Sequence, residues 1–426
     1  MKKELRLFDI LCLGVNAIVG SGIYLFPGLL AGRLGPASVL AFPLCGLMLT
    51  PVALCFAWLA SRTEKTGGPY VYAQEAFGPW IGYGVGWLSW VMQVLSFAAV
   101  ANAIGAYLGH FSDALGSTAA VKIVAGAVVL LLGILNYRGI RPAAKTTDFF
   151  TIAKLIPLVL FIVIGFGFIR PEHFSPFAPH GLMPMSQAIF FAFFACQGFE
   201  HTPVPAGEAK NPKRDIPLAA VGSLLGATLL YSLIQSVAVG SYPDLAGSTK
   251  PLAQAAAFLW APLGALMAIG ASISTLGYTT GAALTTPRYL FALGGSGFFP
   301  RWFEGVHQKY QSPYRAIAAT TAVVFVLAMF LDFKKLVDLS NVTTATQYLI
   351  TCAAALKLSR QGKNASWSLP LGSAAPLLGI GVILYLSSQA KSTEIIASAG
   401  ALALGLLLAA VYRNNNARRP AAVNPK

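Results

Sequence analysis

Residues 14–28 read Gly-Val-Asn-Ala-Ile-Val-Gly-Ser-Gly-Ile-Tyr-Leu-Phe-Pro-Gly, which places Gly20-Ser21-Gly22 in the middle of an otherwise apolar run. Such a run favours a helix, and the triplet interrupts it. A broken helix has two useful ends. Amides at the start of its second half, at the positive end of the helix dipole, suit a carboxylate, and carbonyls at the end of its first half suit a cation or an ammonium. An α-amino acid carries both groups on one carbon. The same triplet also fits a glycine-packed helix crossing or a plain kink, and at this level both readings stand. If the break is a binding site, a side chain added at Gly20 or Gly22 is expected to be the damaging change, and one at Gly14 or Gly28 the tolerated one.

A second interruption follows Phe190-Phe191-Ala192-Phe193-Phe194-Ala195-Cys196-Gln197-Gly198-Phe199-Glu200, where His201-Thr202-Pro203-Val204-Pro205 ends the apolar run. Two prolines and a glycine beside a carboxylate suit an unwound segment that lines a cavity better than a helix facing lipid. Glu200 is an embedded acid, either a proton carrier or gate, or a hydrogen-bond acceptor for the unwound backbone. Lys154 lies well inside another apolar run. It either serves a function there or snorkels to the nearer interface. Glu208 with Lys210, Lys213, Arg214 and Asp215 forms a charge cluster that could close a gate by pairing or simply be solvated.

Composition fixes the elements that must position these residues. The chain is 56% hydrophobic and only 11% charged over 426 residues, against about 25% charged in soluble domains. This predicts an all-α polytopic membrane protein. Runs long enough to cross a bilayer can be placed at 7–32, 38–61, 79–109, 119–136, 149–169, 186–206, 215–240, 252–286, 315–331, 336–357, 369–388 and 394–412, twelve spans in one membrane domain. The charged start resembles the head of a signal peptide, but the first apolar run is too long for one and is read as a retained span. With alternating spans and a cytoplasmic N-terminus, inner segments hold 22 Lys or Arg and outer segments seven. The net charge of +15 therefore reports topology, both termini facing the cytoplasm, and calls for no nucleic acid.

Other chemistries find little support. Cys12, Cys45, Cys55, Cys196 and Cys352 fall in apolar runs without metal spacing and read as packing residues. His110, His173, His180, His201 and His307 are scattered, with His201 read as a polar filler or loop residue, and no phosphate loop or nucleophile–base pair is present. No cofactor or metal is expected. Asn341-Val342-Thr343 and Asn364-Ala365-Ser366 match a glycosylation pattern too common to inform. The breaks open two halves of five spans each, and an odd count inverts the second half relative to the first.

Asn16 with Gly20-Ser21-Gly22-Ile23-Tyr24, Gly67-Gly68-Pro69-Tyr70, Gly198-Phe199-Glu200, the run from Glu208 to Pro217, and Arg288 with Gly297-Phe298-Phe299-Pro300-Arg301-Trp302-Phe303 and His307 together resemble the amino acid–polyamine–organocation transporters. The resemblance covers nearly the whole chain. It implies the leucine-transporter fold: a 5+5 inverted repeat with discontinuous helices 1 and 6, the repeats at 7–170 and 186–360, accessory helices at 369–412 and a cytoplasmic tail at 413–426. It implies a secondary transporter, not an enzyme, that moves L-amino acids across a bacterial-type inner membrane by proton symport or exchange.

Carried over by position, the resemblance implies a substrate site of Ile18, Gly20, Ser21, Gly22, Ile23, Phe194, Ala195, Gln197 and Gly198. Amides of Ser21, Gly22 and Ile23 would take the carboxylate, and carbonyls of Ile18, Phe194 and Gln197 the ammonium. Phe97, Val100, Ala101, Phe193, Phe194 and Tyr278 would form a mainly apolar wall. Arginine-exchanging relatives are expected to carry a polar amide near the Phe97 position, so the departure there favours a neutral amino acid; a cationic amino acid or polyamine is the alternative. The resemblance also implies that Lys154 replaces a sodium ion, bridging the broken first helix and the eighth. A non-transporting sensor would keep the same site, whereas an intramembrane enzyme would need clustered catalytic side chains that the sequence lacks.

Overall fold

The computed structural model describes residues 1–108, 117–248, 250–331, 343–362, 365–389 and 392–417. His110, Lys334, Lys335, the Asn341 and Asn364 motif positions, Lys363, Lys391 and the tail from 418 lie outside these. Among the described residues there is no β-strand, only an isolated bridge between Leu5 and Ala209.

The first apolar run is two helices, α1 (Leu7–Ile18) and α2 (Gly22–Leu34). Then come α3 (Ala41–Ala60), α4 (Pro69–Phe77), α5 (Pro79–Leu108), α6 (Thr118–Tyr137) and α7 (Ile140–Gly165). The second interrupted run gives α8 (Met185–Cys196), followed by short 3-10 turns and α9 (Pro212–Ser241). Next are α10 (Pro251–Leu259), α11 (Ala261–Gly294), α12 (Tyr314–Phe330), α13 (Thr343–Arg360), α14 (Ala374–Ser387) and α15 (Ser392–Ala417).

Seven stretches are long and apolar enough to cross a membrane: 22–60, 79–104, 118–137, 140–168, 212–241, 261–294 and 395–413. The protein is a multi-pass membrane protein. The expected sixth, ninth, tenth and eleventh spans correspond to α8, α12, α13 and α14, which are shorter or less apolar. Several boundaries differ from expectation, and α7 begins at Ile140 rather than at 149. The run at 252–286 divides at Trp260, because Pro262 lacks an amide and starts a new helix at its first turn; α11 then continues to Gly294. The loop after the second span contains α4, opened by Pro69 after Gly68, whose φ of 49° places it in the left-handed region.

The core is built by α11 against α5 and α7, α3 against α9, and α1 against α9. Close helix approach depends on glycine. A Cβ on Gly14 would lie 2.6 Å from Ser223 Oγ on α9, and one on Gly28 would lie 2.8 Å from Pro251 Cγ on α10. Both are packing positions, not the tolerant ones expected from sequence; a Cβ on Gly22 would also lie 2.9 Å from the Phe26 ring, whereas one on Gly20 meets only the Ile18 carbonyl at 4.0 Å. The outer faces are apolar: on α7, Phe149, Ile152, Ile156 and Val163 are each at least half exposed, as suits contact with hydrocarbon rather than water.

Candidate functional site

Ending α1 at Ile18 releases carbonyls that a continuous helix would use, and buried carbonyls need donors. The Asn16 carbonyl accepts from Lys154 Nζ at 2.8 Å. The Val19 carbonyl accepts from the same Nζ at 2.6 Å and from the Ser274 hydroxyl of α11 at 3.0 Å. The Ile18 carbonyl accepts from the Tyr231 hydroxyl at 2.9 Å and from the Gly20 amide at 2.9 Å. Asn16 Nδ2 donates to the Gly277 carbonyl of α11 at 2.6 Å. Lys154 is 0% exposed, so it does not snorkel; it holds α7 against the break. Its link to α11 runs through the shared Val19 carbonyl.

The second break follows the same accounting. A helix continuing past Cys196 would bond the Gly198 amide to the Phe194 carbonyl. Gly198 instead has φ 133°, and its amide donates to Glu200 Oε2 at 2.7 Å. The Tyr348 hydroxyl donates to the same oxygen at 2.5 Å. Glu200 thus takes over a helical acceptor's role and leaves the Phe194 carbonyl without the Gly198 amide. The two breaks touch at Gly198, where an added Cβ would lie 2.5 Å from the Ile18 nitrogen and 2.6 Å from the Ala17 carbonyl carbon.

Between the breaks lies a cavity of about 260 Å3. Of the residues expected from sequence, Ile18, Gly20, Ser21, Gly22, Phe194, Ala195, Gln197, Gly198, Glu200, Tyr278 and Val100 line it. Ile23 is fully buried in the core, and Lys154 is buried behind the α1 break. Phe97 and Ala101 are not in the wall: they pack with Val94, Ala98 and Val129 in a separate apolar cluster. Phe193 packs on Tyr348 instead. On α5 the cavity is faced by Met92, Ser96 and Ala99 beside Val100. The wall is therefore more polar than expected, with Ser96, Thr275, Thr344 and His201 added. His201 is a buried part of this wall, its Nε2 2.8 Å from Gln93 Nε2 on α5, not a loop residue. Gln197 Nε2 and Glu200 Oε1 are buried and have no hydrogen-bond partner among the described residues, though His201 Nε2 lies 3.8 Å from Glu200 Oε1.

Glu208 does not pair with the cations of its own loop. It forms a bidentate ion pair with Arg288 of α11, Nε to Oε2 at 2.7 Å and Nη2 to Oε1 at 3.0 Å, both side chains fully buried. Arg288 Nη1 also reaches Asn136 Oδ1 of α6 at 3.1 Å. Arg288 is thus a buried cation like Lys154, two residues beyond the expected end of its span at 286 and inside α11 in the structure. The Glu208 carbonyl accepts the amides of Glu4 and Leu5, which stitches the N-terminal segment to this pair. Nearby at the surface, Lys3 lies 2.7 Å from Glu64 and Lys213 3.9 Å from it, and the Lys3 ammonium holds the Glu64 carboxyl below the usual range.

A family profile described as amino acid permease matches residues 5–410. The chain belongs to the amino acid permease family. It is similar to the methylthioribose transporter of Bacillus subtilis, 25% identical over 97% of this chain and 94% of that one. It is also similar to the branched-chain amino acid permease BcaP of B. subtilis, 27% identical over 98% and 94%. The serine/threonine exchanger SteT of the same organism is 26% identical over 98% of both chains. These are transporters, not enzymes, and the protein is a membrane transporter of the amino acid–polyamine–organocation superfamily.

Proposed function

We propose that the protein is a secondary active transporter of neutral L-amino acids, working by exchange or proton-coupled symport with alternating access around the cavity between the two broken helices. The observation that carries this reading is the direct apposition of the breaks at Gly198, with a cavity of about 260 Å3 beside them. The first-turn amides of α2 face a carboxylate, and the last-turn carbonyls of α8 face an ammonium. Because Tyr231 and Gly20 already occupy the Ile18 carbonyl, the ammonium falls to the carbonyls of Ala17, Phe194 and Gln197. Backbone groups then read the head whatever the side chain.

In this reading the chain has the leucine-transporter fold, with twelve transmembrane helices, inverted repeats at 7–170 and 186–360, accessory helices at 369–412 and a tail at 413–426. Both termini are cytoplasmic, in a bacterial-type inner membrane. Lys154 stands in for a sodium ion, and Glu200 is the group that couples the second break to the cavity. Uptake of labelled amino acid into liposomes preloaded with unlabelled amino acid tests the proposal. Counterflow with neutral amino acids that is independent of sodium supports it, and binding without counterflow would make the protein a sensor. Glu200 also favours a second reading, because its Oε1, 3.8 Å from His201 Nε2 and without a hydrogen-bond partner among the described residues, belongs to a cavity-lining residue and could meet a cationic side chain. Competition by arginine or a polyamine, with none from leucine or serine, would select that reading.

A further inference from the structure

A second cavity, of about 210 Å3, opens where the start of α1 meets the start of α7, and it shares no lining residue with the substrate site. Its charged wall is Glu4, Arg6, Asp9, Arg141 and Lys145. The two carboxylates are already engaged: Glu4 pairs with Lys2 at 3.1 Å, and Asp9 Oδ2 accepts the Arg6 amide at 2.6 Å. Arg141 and Lys145 are exposed, and among the described residues neither makes an ion pair or hydrogen bond. They stand one turn apart on the same helix, an arrangement of like charges that destabilises a helix unless an anion lies between them.

We infer that this cavity binds the phosphate of an anionic phospholipid, with Arg141 and Lys145 on the headgroup and its acyl chains along α7. The helix face is built for that occupant. Arg141 and Lys145 continue at helical spacing into Phe149, Ile152, Ile156, Leu160 and Val163, all exposed. From Lys145 to Val163 this stripe runs about 27 Å at 1.5 Å per residue, close to the thickness of a bilayer's hydrocarbon core. Phe8, 55% exposed at the rim of the cavity, adds an apolar contact from α1. Guanidinium geometry matches a phosphate in two-point hydrogen bonding, and a soluble anion would have no use for the stripe. The bound lipid ties α1 to α7 at their starts, as Lys154 ties them at the break.

Native mass spectrometry of the purified full-length protein, titrated with phosphatidylglycerol or phosphatidylcholine, tests the site. The double variant Arg141→Gln/Lys145→Gln should bind phosphatidylglycerol roughly thirtyfold more weakly, about fivefold per charge removed, with phosphatidylcholine binding unchanged. The charge-keeping exchange Arg141→Lys/Lys145→Arg should retain most of the binding. If the double variant does not fold, Lys145→Gln alone should show the fivefold loss. Equal phosphatidylglycerol binding by a folded Gln variant and the wild type would overturn the proposal. So would displacement of the lipid by glycerol 3-phosphate at the lipid's own concentration, which would mark the site as one for a free phosphate ester.

Discussion

Gly198→Ala isolates the contact on which the functional reading depends. The added methyl carbon would start 2.5 Å from the Ile18 nitrogen and 2.6 Å from the Ala17 carbonyl carbon, and these are backbone atoms that cannot rotate aside. Relief to an ordinary 3.4 Å contact moves the two breaks apart by about 0.9 Å. The backbone adds to the cost, since φ of 133° is a conformation that alanine rarely adopts. A strained residue costs about 1–3 kcal/mol and overpacking about 1–3 kcal/mol, so a loss of about 2–6 kcal/mol is expected. Misplacement of this size at a reacting centre costs on the order of a hundredfold in rate. By the same geometric logic, counterflow should fall about a hundredfold even in the fraction that remains folded.

Purified wild type, Gly198→Ala and Gly226→Ala should be compared by thermal unfolding and by counterflow in liposomes. Gly226 is the control for the chemical change alone, because a Cβ there meets nothing within 4 Å on the long helix α9. Alanine should be neutral or stabilising at that position by up to about 1 kcal/mol. A Gly198→Ala protein with wild-type unfolding temperature and transport would show that the breaks do not need their close approach, and the reasoning would fail with it.

Three further outcomes follow from the same geometry. Gly20→Ala should leave the unfolding temperature unchanged, since its Cβ meets only the Ile18 carbonyl at 4.0 Å, yet lower transport by narrowing the cavity; Gly14→Ala should instead lose about 1–3 kcal/mol by overpacking, and equal thermal loss at both positions would contradict this. Arg288→Ala should destabilise by about 3–5 kcal/mol because it leaves Glu208 charged and buried alone, whereas Arg288→Met with Glu208→Leu should recover most of the loss; additive single effects in a double-mutant cycle would refute the pairing. Lys154→Met should orphan the Asn16 carbonyl, at about 1–3 kcal/mol, and slow counterflow more than it weakens substrate binding, while wild-type transport stays the same when potassium replaces sodium; normal transport by Lys154→Met across pH would reduce this lysine to a packing element.

The breaks themselves were legible in the sequence because glycine, serine and proline inside an apolar run have few structural uses. Membrane class was legible from composition, and Lys154 from the cost of a charge inside such a run. The cavity wall on α5 was not. Phe97 and Ser96 are neighbours in an unbroken apolar helix, and which of them faces the cavity depends on helix rotation, which α11 and α6 set by packing. Every residue of such a helix meets lipid, protein or cavity, and an all-round apolar pattern has no periodicity to separate them. The usable signal was polar instead: Gln93 and Ser96 on α5, Ser274 and Thr275 on α11, and Thr344, Gln347 and Tyr348 on α13 are hydrogen-bonding side chains in apolar stretches. All but Gln347, which accepts from Ser89 on α5, line the site or bond to its residues, from elements that are far apart in sequence.

The roles of the Ile18 carbonyl and Glu208 show a second limit. Position in a motif says that a carbonyl is released by a break, but not which side chain claims it. Tyr231 lies 213 residues from Ile18 and comes from α9, so only the packing of α9 on α1 reveals that this carbonyl already has its donor. Glu208 likewise sits among four charges in sequence yet turns inward to Arg288, 80 residues away. In both cases the local sequence names the polar group that needs a partner, and tertiary packing chooses the partner. Hydrogen-bond accounting over the described residues therefore exchanges Ile18 for Ala17 in the ammonium-binding set proposed above, because the Ile18 carbonyl already has its donors. Replacing Tyr231 with Phe would put this to the test: it removes one of the two donors on the Ile18 carbonyl, the Gly20 amide staying in place, without adding volume, so substrate binding should be kept or strengthened while the α1–α9 contact weakens by about 1 kcal/mol. Loss of substrate binding in a stable Tyr231→Phe protein would mean that the hydroxyl itself belongs to the binding set.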